Sequence, residues 1–211
     1  MPRSRLQNQL IKDERRRQIM DAALKIFAQK GLAATMISDI AAASHLSYGL
    51  IYHYFHDKEE LYIALVERAM QGTLRLTEEV MAQPGTPWER LNSLCRTMVD
   101  GARDTPEYFR IMLQAQLSET PSSAVHALMN QYGERIWSNV TALIREGQEA
   151  GEVVAGNPDE LAYTLSATIS GLSLNLSLEF SGADAYPTVE TILRFLRPDH
   201  PAHTEEIPHA D

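Results

Sequence analysis

The chain has 211 residues, enough for one compact domain or two modest ones, and 44% of them are hydrophobic, ample for a packed core. No apolar run approaches the ~20 residues of a membrane span, and the opening MPRSRLQNQLIKDERRRQ lacks the apolar centre of a secretory signal, so a cytoplasmic protein is expected. Cys95 is the single cysteine and cannot form an internal disulfide, and the net charge of −9 argues against nucleic acid unless it is unevenly spread.

It is uneven. Residues 1–58 hold nine Lys/Arg against five Asp/Glu, a net of +4, and the remainder nets −13. A cationic head on an anionic body is the footprint of a chain whose first part meets phosphates.

In chain order, residues 1–12 are polar and basic without strong periodicity and read as a flexible arm. From residue 13 to 30 there is no Pro or Gly, Ile19, Ala23, Ile26 and Phe27 recur at helical spacing, and Gly31 stands where a C-terminal cap is wanted. Thr35 is placed to cap a second, short helix carrying Ile37, Ile40 and Ala41, which ends near Ser44-His45. Ser47 then caps a third helix, SYGLIYHYF, with Ile51 and Phe55 one turn apart on a single face. Asp57 opens a long fourth helix that runs to about Gln83, where PGTP stops it. Further helices are predicted near 88–103, 106–118, 122–150, 158–180 and 187–197, with no strand, and the tail 199–211 is predicted to be disordered.

The segment TMISDIAAASHLSYGLIYHYFHDKEEL, Thr35 to Leu61, resembles the helix-turn-helix of the TetR family of transcriptional regulators. It carries Ile40-Ala41, Ser47, Gly49, the aromatics Tyr52, Tyr54 and Phe55, and Lys58-Glu59 with Leu61, and the preceding IMDAALKIFAQKG is similar to the family's first helix. His45 stands where the family usually has Gly, at a position that often needs φ > 0, and Met36 stands where a second Thr or Ser is common. The resemblance implies an all-α chain: an N-terminal three-helix reader (13–60) joined by a long helix to a helical ligand-sensing and dimerisation domain (61–198). It implies a ligand-responsive repressor that binds a palindromic double-stranded DNA operator as a homodimer and is released by a small, mostly hydrophobic effector.

A major groove roughly 12 Å wide admits one α-helix by its N-terminal end, so the first turn of the third helix must carry most of the sequence reading. Tyr48, Leu50 and His53 point away from the Ile51/Phe55 face and are candidates for base contact, while Gly49 lets the backbone approach closely. Thr35, Ser38, Ser47, Tyr52, Tyr54 and Lys58 are the candidates for contacts that fix register, with Arg15, Arg16 and Arg17 beside the groove and the Arg3/Arg5 arm in the minor groove. For Tyr52 and Tyr54 core packing is an equal alternative, and for the three arginines the alternative is a solvated helix face.

In the acidic part, Leu165, Ile169, Leu172, Leu176 and Phe180 form one apolar stripe and Ile192, Phe195 and Leu196 a second. Both are candidates for a dimer interface, with internal core packing as the alternative. Met70, Leu74, Trp88, Met98, Tyr108, Phe109, Met112 and Trp137 offer an adaptable apolar lining for an effector, with Arg110 and Gln116 to orient it. The chain has no HExxH, no phosphate-cradling Gly loop, no GxSxG and no CxxC, so no enzymatic activity, cofactor or metal is expected. His53 and His56 lie three apart but lack an acidic or thiol partner at metal-ligand spacing.

Overall fold

The computed structural model describes residues 5–118, 122–177 and 186–198, and every regular element among them is helical. Helix α1, Arg5–Ala34, is broken at Gly31, whose φ of 73° lies in the region that favours glycine. It starts well before residue 13, so residues 5–12, expected as a flexible arm, continue the helix. They contain good helix formers and no Gly or Pro, and Gln9 donates to Asp13 one turn on at 2.8 Å. Arg3 lies outside the described residues, as does the 199–211 tail.

Helix α2, Ile37–Ser44, is capped at Met36 and not at Thr35. The Thr35 hydroxyl instead turns back and donates to the Gly31 carbonyl at 2.7 Å. Asp39 takes over the capping work, accepting the Met36 N–H at 3.3 Å and an ion pair from Lys30 at 2.8 Å. His45 ends α2 at φ 54°, ψ 36°, the left-handed conformation expected at this turn. Gln18 of α1 donates to the Ser44 carbonyl at 2.8 Å, satisfying one of the last acceptors of α2.

Helix α3, Tyr48–Tyr54, is capped by Ser47, whose hydroxyl accepts from the Leu50 N–H at 3.3 Å. Helix α4, Lys58–Ala82, begins at Asp57, whose carboxylate accepts from the Glu60 N–H at 2.8 Å. Four more helices follow: α5 (Pro87–Asp104), α6 (Pro106–Leu117), α7 (Ser123–Glu149) and α8 (Pro158–Ser177). The segment expected as a last full helix is shorter: α9 spans only Val189–Ile192 and is followed by a 3₁₀ turn, Arg194–Leu196.

Two hydrophobic cores organise these helices. The first joins Ile19, Phe27, Ile40, Ile51 and Phe55 of the reader to Leu61, Tyr62 and Leu65 of α4 and to Ile111 of α6. The second joins Leu91 and Cys95 of α5 to Leu143 and Ile144 of α7, Leu165 and Ile169 of α8, and Ile192 and Leu196. Burial pushes the Cys95 thiol up to about 11, so it is held as an inert small hydrophobe.

The turn between α7 and α8 sets the second core's geometry. Gly151, at φ 70°, reverses the chain so that Val153 folds back against Gly147, where a Cβ would collide with the valine's Cγ2. Gly147→Ala is therefore expected to cost about 1–3 kcal/mol, read by urea denaturation, and Val153→Ala in the same chain to recover part of the loss.

Candidate nucleic-acid interface and internal cavity

Helix α3 buries Ile51 and, just beyond its end, Phe55, and leaves Tyr48, Gly49, Tyr52 and His53 facing outward. Tyr48 and Tyr52, one turn apart, are 54% and 42% exposed, and their rings stack at a tilt with centroids 4.9 Å apart. Their hydroxyls lie 3.2 Å apart, and that hydrogen bond raises the Tyr52 hydroxyl above its ordinary value. Gly49 lies on the same exposed turn, and a Cβ there would meet nothing within 4 Å. No internal contact therefore requires glycine at 49. Ser38, Ser47 and His53 are also exposed, Leu50 is half-buried, and the His53 ring meets Tyr54 edge-on at 5.4 Å.

Three of the predicted contact residues are engaged inside the fold. Thr35 is 1% exposed and bonded inside the fold, so its hydroxyl is not available at the surface. Lys58 donates to the carbonyls of Ala33 and Thr35, both at 3.0 Å, which fastens the start of α4 to the turn before α2. Tyr54 is half-buried and packs on the first core. Of the arginine run, Arg16 lies 4.9 Å from the Phe55 ring centroid, holding α1 to the end of α3, while Arg17 pairs with Glu14 in solvent.

A cavity of about 470 Å³ opens between α4, α5, α6 and α8. Tyr108 and Met112, which pack on the first core, and Met98, Leu76 and Ile169, from the second, meet around it. Arg68 of α4 lines the same space, lies 5.7 Å from the Tyr108 ring centroid, and donates to Asp21 of α1 at 2.8 Å.

Two family models match the chain: bacterial regulatory proteins of the tetR family over residues 19–65, and the C-terminal domain of BetI-type transcriptional repressors over 87–197. The regulator BetI of Rhizobium meliloti (strain 1021) is 31% identical over 166 residues, spanning 78% of this chain and 79% of that one. The chain belongs to the TetR family. The regulator YfiR of Bacillus subtilis (strain 168) is 26% identical over 171 residues, 79% of this chain and 78% of its own. Two solved structures share the fold. A regulator from Saccharomonospora viridis in complex with choline has a TM-score of 0.69 at 24% identity, covering 86% of this chain and 93% of its own. The fatty acid degradation regulator FadR of Bacillus halodurans has a TM-score of 0.72 at 21% identity, covering 85% and 93%.

The protein is thus a TetR-family helix-turn-helix transcriptional regulator, and regulators of this family bind DNA operators. Of the predicted effector residues, Met98, Tyr108, Phe109 and Met112 line the cavity. The others do not. Met70 and Leu74 are buried along the inward face of α4, and Arg110 and the exposed Gln116 lie off the lining. Trp88 packs on the second core under Arg197, 4.2 Å from the ring centroid, and the Trp137 indole donates to Asp159 at 3.0 Å. Sequence reasoning missed Arg68, Gly72, Arg75 and Leu76, although their spacing puts them on one face of α4.

Part of the predicted dimer stripes turns inward. Leu165, Ile169, Ile192 and Leu196 are buried in the second core, Leu172 and Phe195 are half-buried against it, and Leu176 is half-buried. Phe180 lies outside the described residues.

The open surround of Gly49 generates a two-sided expectation. Gly49→Ala should stabilise the fold by up to about 1 kcal/mol in thermal unfolding, because alanine is the better helix former. The same variant should bind operator DNA more weakly in fluorescence anisotropy, because the added methyl stands on the approach surface.

Proposed function

We propose that this regulator is a ligand-responsive repressor that binds a palindromic operator as a dimer and releases it when a small, mostly hydrophobic effector fills the cavity between α4, α5, α6 and α8. The observation that carries this reading is the cavity's place at the seam of the two cores. Its walls belong to helices that also form the floor of the reader: Tyr62 of α4 donates to the Ile111 carbonyl of α6 at 3.2 Å, and Gln114 of α6 donates to the Ala28 carbonyl of α1 at 3.3 Å. A ligand that spreads α4 from α6 biases the reader's orientation, and its effect is bounded by its differential affinity for the two arrangements.

The reading surface in this proposal is Tyr48, Gly49, Leu50, Tyr52 and His53 at the groove, with Ser38, Ser47 and the remaining donor capacity of Lys58 on the phosphates. Dimerisation belongs to the outer face of α8. Tyr163 is 68% exposed, Ala167, Ser170 and Gly171 are exposed on following turns, and no charged residue occurs in α8 after Glu160. A charge-free face of small residues around one aromatic permits close approach of a second copy.

The test is anisotropy with the promoter DNA beside its own gene. Log affinity is expected to fall linearly with log salt, through counterion release, and absence of binding at low salt would overturn the proposal. Gly171→Arg should shift the protein to monomer in analytical ultracentrifugation and lower operator affinity by on the order of a hundredfold, because two linked half-sites become one.

A further inference from the structure

We propose that the cavity accepts an amphiphile with an anionic head, a carboxylate in the simplest case, and that this head competes with Asp21 for Arg68. The inference rests on reading the cavity as the effector site and adds the charge of the effector and the contact it breaks.

Three observations converge. The described residues lining the cavity include two cations, Arg68 and Arg75, and no aspartate or glutamate. A quaternary ammonium, by contrast, needs carboxylates or free aromatic faces; the lining offers no carboxylate, and of its two aromatics, Tyr108 and Phe109, the first already faces the Arg68 guanidinium at 5.7 Å. Next, the Tyr108 hydroxyl is buried and has no hydrogen-bond partner among the described residues. A buried donor without an acceptor is costly, and a carboxylate supplies acceptors only; the hydroxyl is closed to water in this arrangement, so a head beside Arg68 reaches it only as α6 moves off α4. Finally, Arg68 already holds a carboxylate: it donates to Asp21 at 2.8 Å, across from α4 to the reader's first helix. Both partners are well exposed, at 39% and 53% of their side chains, so the pair can exchange without unpacking a core.

The remaining lining fits the tail of such a molecule. Leu76, Met98, Phe109, Met112 and Ile169 are apolar, and a volume of about 470 Å³ lies in the range of small-molecule sites. On this geometry the effector's head replaces the Asp21 carboxylate on Arg68, and α1 loses a tie to α4 as the cavity fills.

The experiment is isothermal titration of the full chain with decanoate, decyltrimethylammonium and choline, each below micelle formation, with operator anisotropy run in parallel. Decanoate is expected to bind at least about tenfold more tightly than decyltrimethylammonium. Arg68→Gln should remove most of that preference, Arg75 being the other cation of the lining, and Arg68→Lys should restore part of it. Asp21→Asn should tighten decanoate binding, because the competitor is gone. If Arg68→Gln does not fold, Tyr108→Phe carries the same test, with weaker decanoate binding and unchanged decyltrimethylammonium binding. Preferential binding of either cation, or of neither head, overturns the proposal, as does an Asp21→Asn protein that binds decanoate no better. Decanoate binding in the expected order with operator affinity unmoved upholds the anionic site and overturns the repressor-release reading instead.

Discussion

The structure depends on one constraint: the reader has no core of its own. Phe27 of α1 is fully buried against Tyr62 of α4, edge to face with centroids 5.4 Å apart, and Ile111 of α6 closes the same cluster. Burial pushes the Tyr62 hydroxyl up to about 12, so it stays a donor, and its bond to the Ile111 carbonyl fixes α6 to α4 at this point. One long helix and two short ones bury too little apolar surface to stand alone, and they recruit α4 and α6 to complete their core. Stability and communication therefore have the same cause. The reader cannot be stabilised without being joined to the helices that wall the cavity.

The recognition helix is at the opposite extreme. With seven residues it is too short to be stable as an isolated helix, and it is held by what surrounds it. Ser47 caps its start, Ile51 anchors its middle, and Phe55 pins its end beneath Arg16. The turn before it requires a left-handed residue, and His45 takes that conformation where glycine would do so without strain. Fixing both ends and one face leaves Tyr48, Gly49 and Tyr52 as an outward surface whose side chains serve no internal packing purpose.

What was legible in the sequence follows from range. Gly31, Ser47, Asp57 and the prolines at 87, 106 and 158 act on the backbone within a few residues, and the helix boundaries they predict agree closely with the structure. Thr35 does not cap α2 because a threonine hydroxyl can either cap forward or bond back to a carbonyl, and here it bonds back to Gly31. Helix α8 illustrates a different limit: a hydrophobic stripe records only that one face is covered, and Leu165 and Ile169 of this stripe are covered by α5 and α7 of the same chain. The small residues on its other side were equally visible and lacked only the assignment of inside and outside. The Arg68–Asp21 pair joins residues 47 apart and depends on how two helices cross, which no local pattern encodes.

That pair also bounds how the two halves can communicate. The sequence divides into a cationic head and an anionic body, yet at the seam the polarity is reversed: the acid belongs to the reader and the base to the body. An exposed pair of this kind contributes about 0–1 kcal/mol to stability, so holding the fold together is a poor account of it. Allosteric coupling energies run to about 1–3 kcal/mol, more than exchange of one exposed ion pair can provide. The balance must come from apolar contacts that change with it, and Tyr108 and Met112 are the residues placed to supply them. They line the cavity and pack on the reader's core at once, so displacing them alters burial on both sides of the seam. In the proposed mechanism, charge at Arg68 selects which molecule enters, and the packing of α6 against α1 is what would convert its presence into a shift of the reader.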